Sequence, residues 1–151
     1  MPPPFLTRLA ALCAAASLAP ALWAAPTSSP EAKRNTALRD TRWTLQTLDG
    51  APVATPGARG PVHLRLGAAQ QRLTGFAGCN TLRGRYLQRG TTLALKPVAT
   101  TRMACTPELM EQEGRFLQAL AAIDSYRIEG RRLSLLQGDV VKVTFLATPA
   151  R

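Results

Sequence analysis

Histidine is almost missing from this chain: His63 is the only one. It sits at an outward position of an alternating run, where a solvated surface histidine is the expected reading, and acid–base catalysis needs such a ring paired with a positioned partner. No G-x-S-x-G elbow occurs, so no serine nucleophile is marked. The 9 Asp and Glu are scattered, mostly at turns and on polar helix positions. Asp124 and Glu129 read as turn and hairpin residues. One histidine and two widely separated cysteines match no zinc spacing, and no C-x-x-C pair is present to lower a thiol pKa. Gly57-Ala58-Arg59-Gly60 lacks the spacing and the strand–helix setting of a phosphate loop. The sequence therefore predicts no catalytic residue, no metal site and no cofactor.

Aromatic residues and lysine are also scarce. Phe, Trp and Tyr make up 5% of the chain, and all but three of the 19 basic residues are arginine. Against 9 acidic residues the chain is strongly basic. Such a surface favours anionic partners: lipid headgroups, lipopolysaccharide or nucleic acid. No basic block is longer than two residues (Lys33-Arg34 and Arg131-Arg132), so the excess reads more as arginine-favouring codon usage and solubility than as a selected patch. Arg83, Arg85 and Arg89 flank Tyr86, and a strand of basic and aromatic residues can stack bases. Tyr86 alternates with Arg85, however, so it is expected to face the core. No nucleic-acid partner is expected.

What is present begins with an export pattern. Arg8 is the only charge before Glu31, Leu9 to Leu22 is nearly all small or apolar, and Ala24 and Ala25 end the run. Charge, short apolar run and small residues describe a secretory signal, read here as residues 1–24. The run is shorter than the roughly 20 residues a membrane span needs. Leu12 before Cys13 is wrong for lipoprotein processing, so lipoprotein anchoring is not expected and Cys13 leaves with the signal. A periplasmic or secreted location follows. Residues 25–40 are rich in Pro, Ser and charge and read as a flexible leader. Cys79 and Cys105 then remain, and an even count in a small exported domain reads as one structural disulfide rather than a redox pair.

From Arg42 onward apolar residues alternate with polar ones in short runs: Trp43 and Leu45, Val62 to Leu66, Leu73 and Phe76, Arg85 to Leu87, Leu93 and Leu95. Turn residues separate the runs, which is the spacing of an all-antiparallel sheet. One helix interrupts them. Thr106 is placed to cap it, Pro107 suits its first turn and Glu108 its dipole. Leu109, Met110, Phe116, Leu117 and Leu120 then form an apolar face, with Met110 read as core, and the helix ends near Ala122. Tyr126 and Ile128 pair across Glu129-Gly130 with Leu133 and Leu135, and Val141, Val143 and Phe145 close the pattern. The expectation is an α+β, mostly β domain: about eight short antiparallel strands in an open barrel-like sheet with one packed helix.

These residues resemble a known family. Trp43-x-Leu45, Thr74-Gly75-Phe76-Ala77-Gly78-Cys79-Asn80, Gly84-x-Tyr86, Thr101-x-Met103-Ala104-Cys105, Glu113 with Phe116-Leu117, and Leu133-x-Leu135 together resemble a META domain of the HslJ-like type, spanning residues 41–147. The resemblance implies a bacterial envelope protein linked to heat shock and antibiotic tolerance, with no established enzymatic activity. It also implies that Trp43, Gly75, Gly78, Asn80, Gly84, Tyr86, Thr101 and Met103 are structural residues. Two functions remain open from the sequence. One is a non-catalytic stress or envelope protein that binds an apolar or anionic ligand, such as a lipid, with peripheral membrane contact. The other is an interaction or inhibitor module acting on another envelope protein.

Overall fold

Strand β1 (Arg42–Leu48) carries the parity that organises the domain. Trp43, Leu45 and Leu48 are buried, and a register shift between Leu45 and Thr47 moves the inward position by one residue. The computed structural model describes residues 35–53, 59–96 and 98–148. After β1, Asp49 and Gly50 both take positive φ, 48° and 80°, and form a two-residue hairpin turn into β2 (Ala51–Pro52). Next come β3 (His63–Leu66), β4 (Arg72–Phe76), β5 (Thr81–Arg89), β6 (Thr92–Leu95) and β7 (Ala99–Thr100). Helix α1 (Pro107–Ala122) follows, then β8 (Ser125–Glu129), β9 (Arg132–Gln137) and β10 (Val140–Thr148).

Every pairing between strands is antiparallel. The order is β10-β9-β8-β6-β5-β4-β3-β1, and β1 pairs again with β10, so eight strands form a ring. The expected count holds for the ring, while β2 and β7 are two-residue additions that pair with β1 and β5. The ring is not an even barrel. β1 and β10 pair along their length, but β6 and β8 share a single residue pair, Thr92 with Ser125.

The inward positions fill the ring. Leu64, Leu66, Leu73, Leu82, Tyr86, Leu93, Leu133, Val143 and Phe145 are buried, joined from α1 by Phe116, Ala119 and Leu120. Phe116 meets Phe145 edge-on at 6.2 Å, and burying each ring stabilises by about 1.5–3 kcal/mol. Tyr86 faces inward as expected, and its hydroxyl donates to the Gly67 carbonyl at 2.9 Å. Trp43 is buried with its indole N–H donating to the Leu38 carbonyl.

Three local expectations change. Met110 is 52% exposed rather than core. The buried stripe of α1 runs through Glu113, Phe116, Ala119 and Leu120, and Met110 lies about 100° around the helix from Leu109. Thr106 makes no side-chain bond to a helix-end N–H. The Glu108 carboxylate nearby is held below its ordinary pKa first by its own backbone N–H and then by the Thr106 hydroxyl. Finally, residues 35–40, read as leader, are bonded to the domain. Asn35 accepts from the Gly130 amide, Thr36 N–H donates to the Gly130 carbonyl, and Asp40 N–H donates to the Leu66 carbonyl. The signal segment and the rest of the leader lie outside the described residues.

Candidate functional site

The motif residues divide between a clamp and a sheet. At the clamp, Cys79 and Cys105 form the expected disulfide, with Cα atoms 6.0 Å apart. Gly78, at φ 117°, turns the chain into Cys79-Asn80, a conformation that side chains resist. Glu113 then reaches from α1 into the turn. Its Oε2 accepts from the Cys79 and Asn80 amides at 3.1 and 2.7 Å, and its Oε1 accepts from Asn80 Nδ2 at 2.7 Å. Asn80 Oδ1 in turn accepts from the Thr101 hydroxyl and the Met103 amide, both at 2.8 Å. Arg59 Nη1 donates to the Cys79 carbonyl at 3.0 Å.

One buried carboxylate and one buried amide thus fasten the disulfide turn, the segment before the helix and the helix itself. Among the described residues no buried side-chain polar atom is left without a partner. Glu113 was read from sequence only as part of a helix motif, among scattered carboxylates. The available signal was its spacing: it falls on the same stripe as Leu109, Phe116 and Leu120, where a polar residue needs a buried partner.

The sheet group sits across β1, β3, β4 and β5. Trp43 pairs with Leu64, Leu64 with Gly75, and Gly75 with Leu82. A Cβ on Gly75 would lie 2.2 Å from the His63 carbonyl oxygen, so only glycine fits that approach. Gly84 pairs with Leu73 in the next inward row. These residues and Tyr86 support the fold.

The outer face of the same strands was legible in the sequence only at Arg83 and Arg85 of β5. Arg42 pairs with Arg65, Arg65 with Thr74, and Thr74 with Arg83, which makes one outward row. Arg72 pairs directly with Arg85 beside it. All five arginines are exposed. Like charges directly opposite are unfavourable in a sheet, yet among the described residues one carboxylate answers them: Asp40, 3.6 Å from Arg65. Arg72 donates to Gln70, and the side chains of Arg83 and Arg85 have no ion pair or hydrogen bond among the described residues. An open cavity of about 710 Å³ lies here, lined by His63, Arg72, Thr74, Thr81, Arg83 and Arg85 among others.

His63 is half-buried at the edge of this face. Its Nδ1 lies 3.1 Å from Arg42 Nη2 and 3.0 Å from the Pro61 carbonyl oxygen. Burial holds its pKa below the ordinary value, the Pro61 bond opposes this, and the Arg42 charge adds to it. Its polar contacts are with a cation and a backbone carbonyl, which is not the setting of a general base held by a carboxylate. A smaller cavity of about 300 Å³ lies between β6 and α1, lined by Leu95, Lys96, Val98, Leu117, Leu120 and Ala121. Among the described residues no group of three or more His, Cys, Asp or Glu is placed to hold a metal ion, and no helix is long and apolar enough to cross a membrane.

Residues 36–150 match the META domain. The chain belongs to the META domain family. Among solved structures, the chain is similar to a protein from Burkholderia xenovorans determined by NMR, at 31% identity and a TM-score of 0.62, over 75% of this chain and 85% of that one. A second NMR structure, at 23% identity and a TM-score of 0.57 over 72% of this chain and 90% of the other, shares the fold. No curated protein matches the chain. The META match spans both the clamp and the arginine face.

Proposed function

We propose that this META domain is a non-catalytic exported protein of the bacterial envelope that works by binding an anionic ligand. The arginine face carries this reading: five exposed guanidiniums on four neighbouring strands meet one carboxylate among the described residues. A fold stabilised by this face would be expected to pair those charges internally. Leaving them open favours a partner that supplies the negative charge. The clamp supports the non-catalytic part, because its carboxylate and amide are fully engaged with backbone and side-chain donors. The N-terminal pattern of Arg8 and the apolar run supports export to the periplasm or beyond. The motif resemblance supports an HslJ-like role in heat shock or antibiotic tolerance.

Native mass spectrometry of protein purified gently from its own periplasm tests this. An acidic molecule retained at fixed stoichiometry is the expected result. A protein that is never exported, or that is always recovered empty and binds no anion, refutes it. A second reading, an interaction module for another envelope protein, is favoured by the exposed Met103 and Met110 on either side of Cys105, 47% and 52% exposed. Crosslinking in cells separates the two, since a single stoichiometric protein partner at Met103 supports the second.

A further inference from the structure

We infer that the ligand of the arginine face is the headgroup layer of an anionic bilayer, and that the outer surface of β3, β4 and β5 lies against it. This rests on the anion-binding reading above and names its target. Three features select a surface over a small anion or a nucleic acid.

The first is spread. Neighbouring strands are about 4.8 Å apart, so Arg65 and Arg83, with Thr74 between them, stand roughly 10 Å apart at the backbone. Arg42 extends the row by another strand, and Arg72 and Arg85 form a second pair beside it. That is a broad array of exposed charges. A site for one small anion would instead converge several donors on one point and bury them.

The second is Leu87. It occupies the next outward position of β5 after Arg83 and Arg85, is followed outward by Arg89, and is 49% exposed. An apolar side chain between arginines on one strand suits an interface where charged headgroups meet acyl chains. It gives nothing to a soluble polyanion.

The third is the shortage of exposed aromatic faces among the described residues. Tyr86 is fully buried in the core, and Phe76, the one aromatic ring on the outward side of β3 to β5 apart from His63, is half-buried against that histidine. Nucleic-acid grooves of this kind rely on exposed aromatic faces as well as charge.

Phosphate-bearing headgroups then take the guanidiniums as charge-assisted donors, with Asp40 limiting the contribution of Arg65. The attraction is electrostatic and exposed, so it weakens steeply with salt.

Co-sedimentation of the full chain with vesicles tests the inference. One set is phosphatidylcholine alone and the other contains phosphatidylglycerol. Any contribution from the apolar N-terminal run is common to both sets, so the difference between them reads the charge. The expected result is a clear preference for the phosphatidylglycerol vesicles. The double variant Arg72→Ser, Arg85→Ser should weaken that binding about 25-fold, at roughly fivefold per arginine. The variant Arg127→Ser, Arg132→Ser makes the same change in net charge on β8 and β9 and should alter it less than about threefold. All four positions are exposed, and unchanged thermal melts establish that both variants fold.

Equal losses in the two variants reduce the effect to net charge and overturn the inference. So does equal binding to both vesicle sets. Tighter binding to a single-stranded oligonucleotide, lost in Arg72→Ser, Arg85→Ser, assigns the face to nucleic acid and overturns it too. If vesicles fail while native mass spectrometry still finds an acidic molecule, the bilayer is wrong and anion binding stands. If both fail, both readings fall.

Discussion

Glu113 is stable as a buried carboxylate because the turn at Cys79-Asn80 offers it three donors. Glu113→Gln keeps the shape, yet turns an amide N–H₂ toward groups that are themselves donors. The expected cost is about 1–3 kcal/mol for each donor left unpaired. It should appear as a lower urea midpoint with an unchanged slope, and a midpoint equal to wild type would show the clamp to be dispensable. His63 makes a second residue-scale case. Unprotonated Nδ1 accepts from Arg42, while protonated Nδ1 can only turn to the Pro61 carbonyl and places a second cation beside Arg42. Burial first, and then the Arg42 charge, lower its folded pKa from 6.5 against the opposing Pro61 bond. The unfolded chain binds the proton more readily, so this contribution is fully present above pH 6.5 and is lost as pH falls through that value toward the folded pKa. Thermal melts should drop over that window, and His63→Gln should flatten the drop. An identical pH profile in the variant would remove His63 as its source.

The disulfide works at the scale of elements, because it ties the β4–β5 turn to the chain entering α1. It closes a loop with a sequence separation of 26 residues, worth about 3.5 kcal/mol in the chain-entropy picture. Cys79→Ala with Cys105→Ala should lower unfolding free energy by roughly that amount. Glu113 would still hold Asn80, so the loss should stop short of unfolding, and near-ultraviolet circular dichroism at low temperature should keep its native shape. Strand and helix placement was largely legible, because inward alternation at Trp43, Leu64, Leu73, Tyr86 and Phe145 survives in the fold. The exceptions arise where pairing overrides periodicity. β1 shifts register between Leu45 and Thr47, and β10 does so between Val141 and Val143, leaving Val141 half-buried at the edge of the pattern.

For the whole molecule the ring has one weak seam. β6 and β8 share one residue pair, supported by the Leu93 amide donating to the Asp124 carbonyl and the Tyr126 amide donating to the Thr91 carbonyl. β1 and β10 pair from Arg42 to Leu48. Hydrogen exchange should find the Leu93 and Tyr126 amides opening at lower free energy than those in the middle of the β1–β10 pairing. Equal protection at both places would mean that the ring opens only as a unit. The candidate binding face lies away from this seam, on β3 to β5, where continuous pairing holds the arginines in a fixed array. Rigid placement lowers the ordering cost of binding a surface.

Alternation, turn residues and motif spacing were enough by themselves to read a mostly β domain with one helix, the family, and the Cys79–Cys105 bridge. Each depends on near neighbours in the chain or on a count, and the sequence records both directly. The arginine face needed tertiary structure. Arg83 and Arg85 could be read as neighbours on one strand, but Arg42, Arg65 and Arg72 stand apart from them in sequence, and only the registers of β1, β3, β4 and β5 bring all five onto one surface. Glu113 was hidden for the same reason, because the donors that make its burial possible lie 33 and 34 residues away and reach it only when the ring folds around the helix.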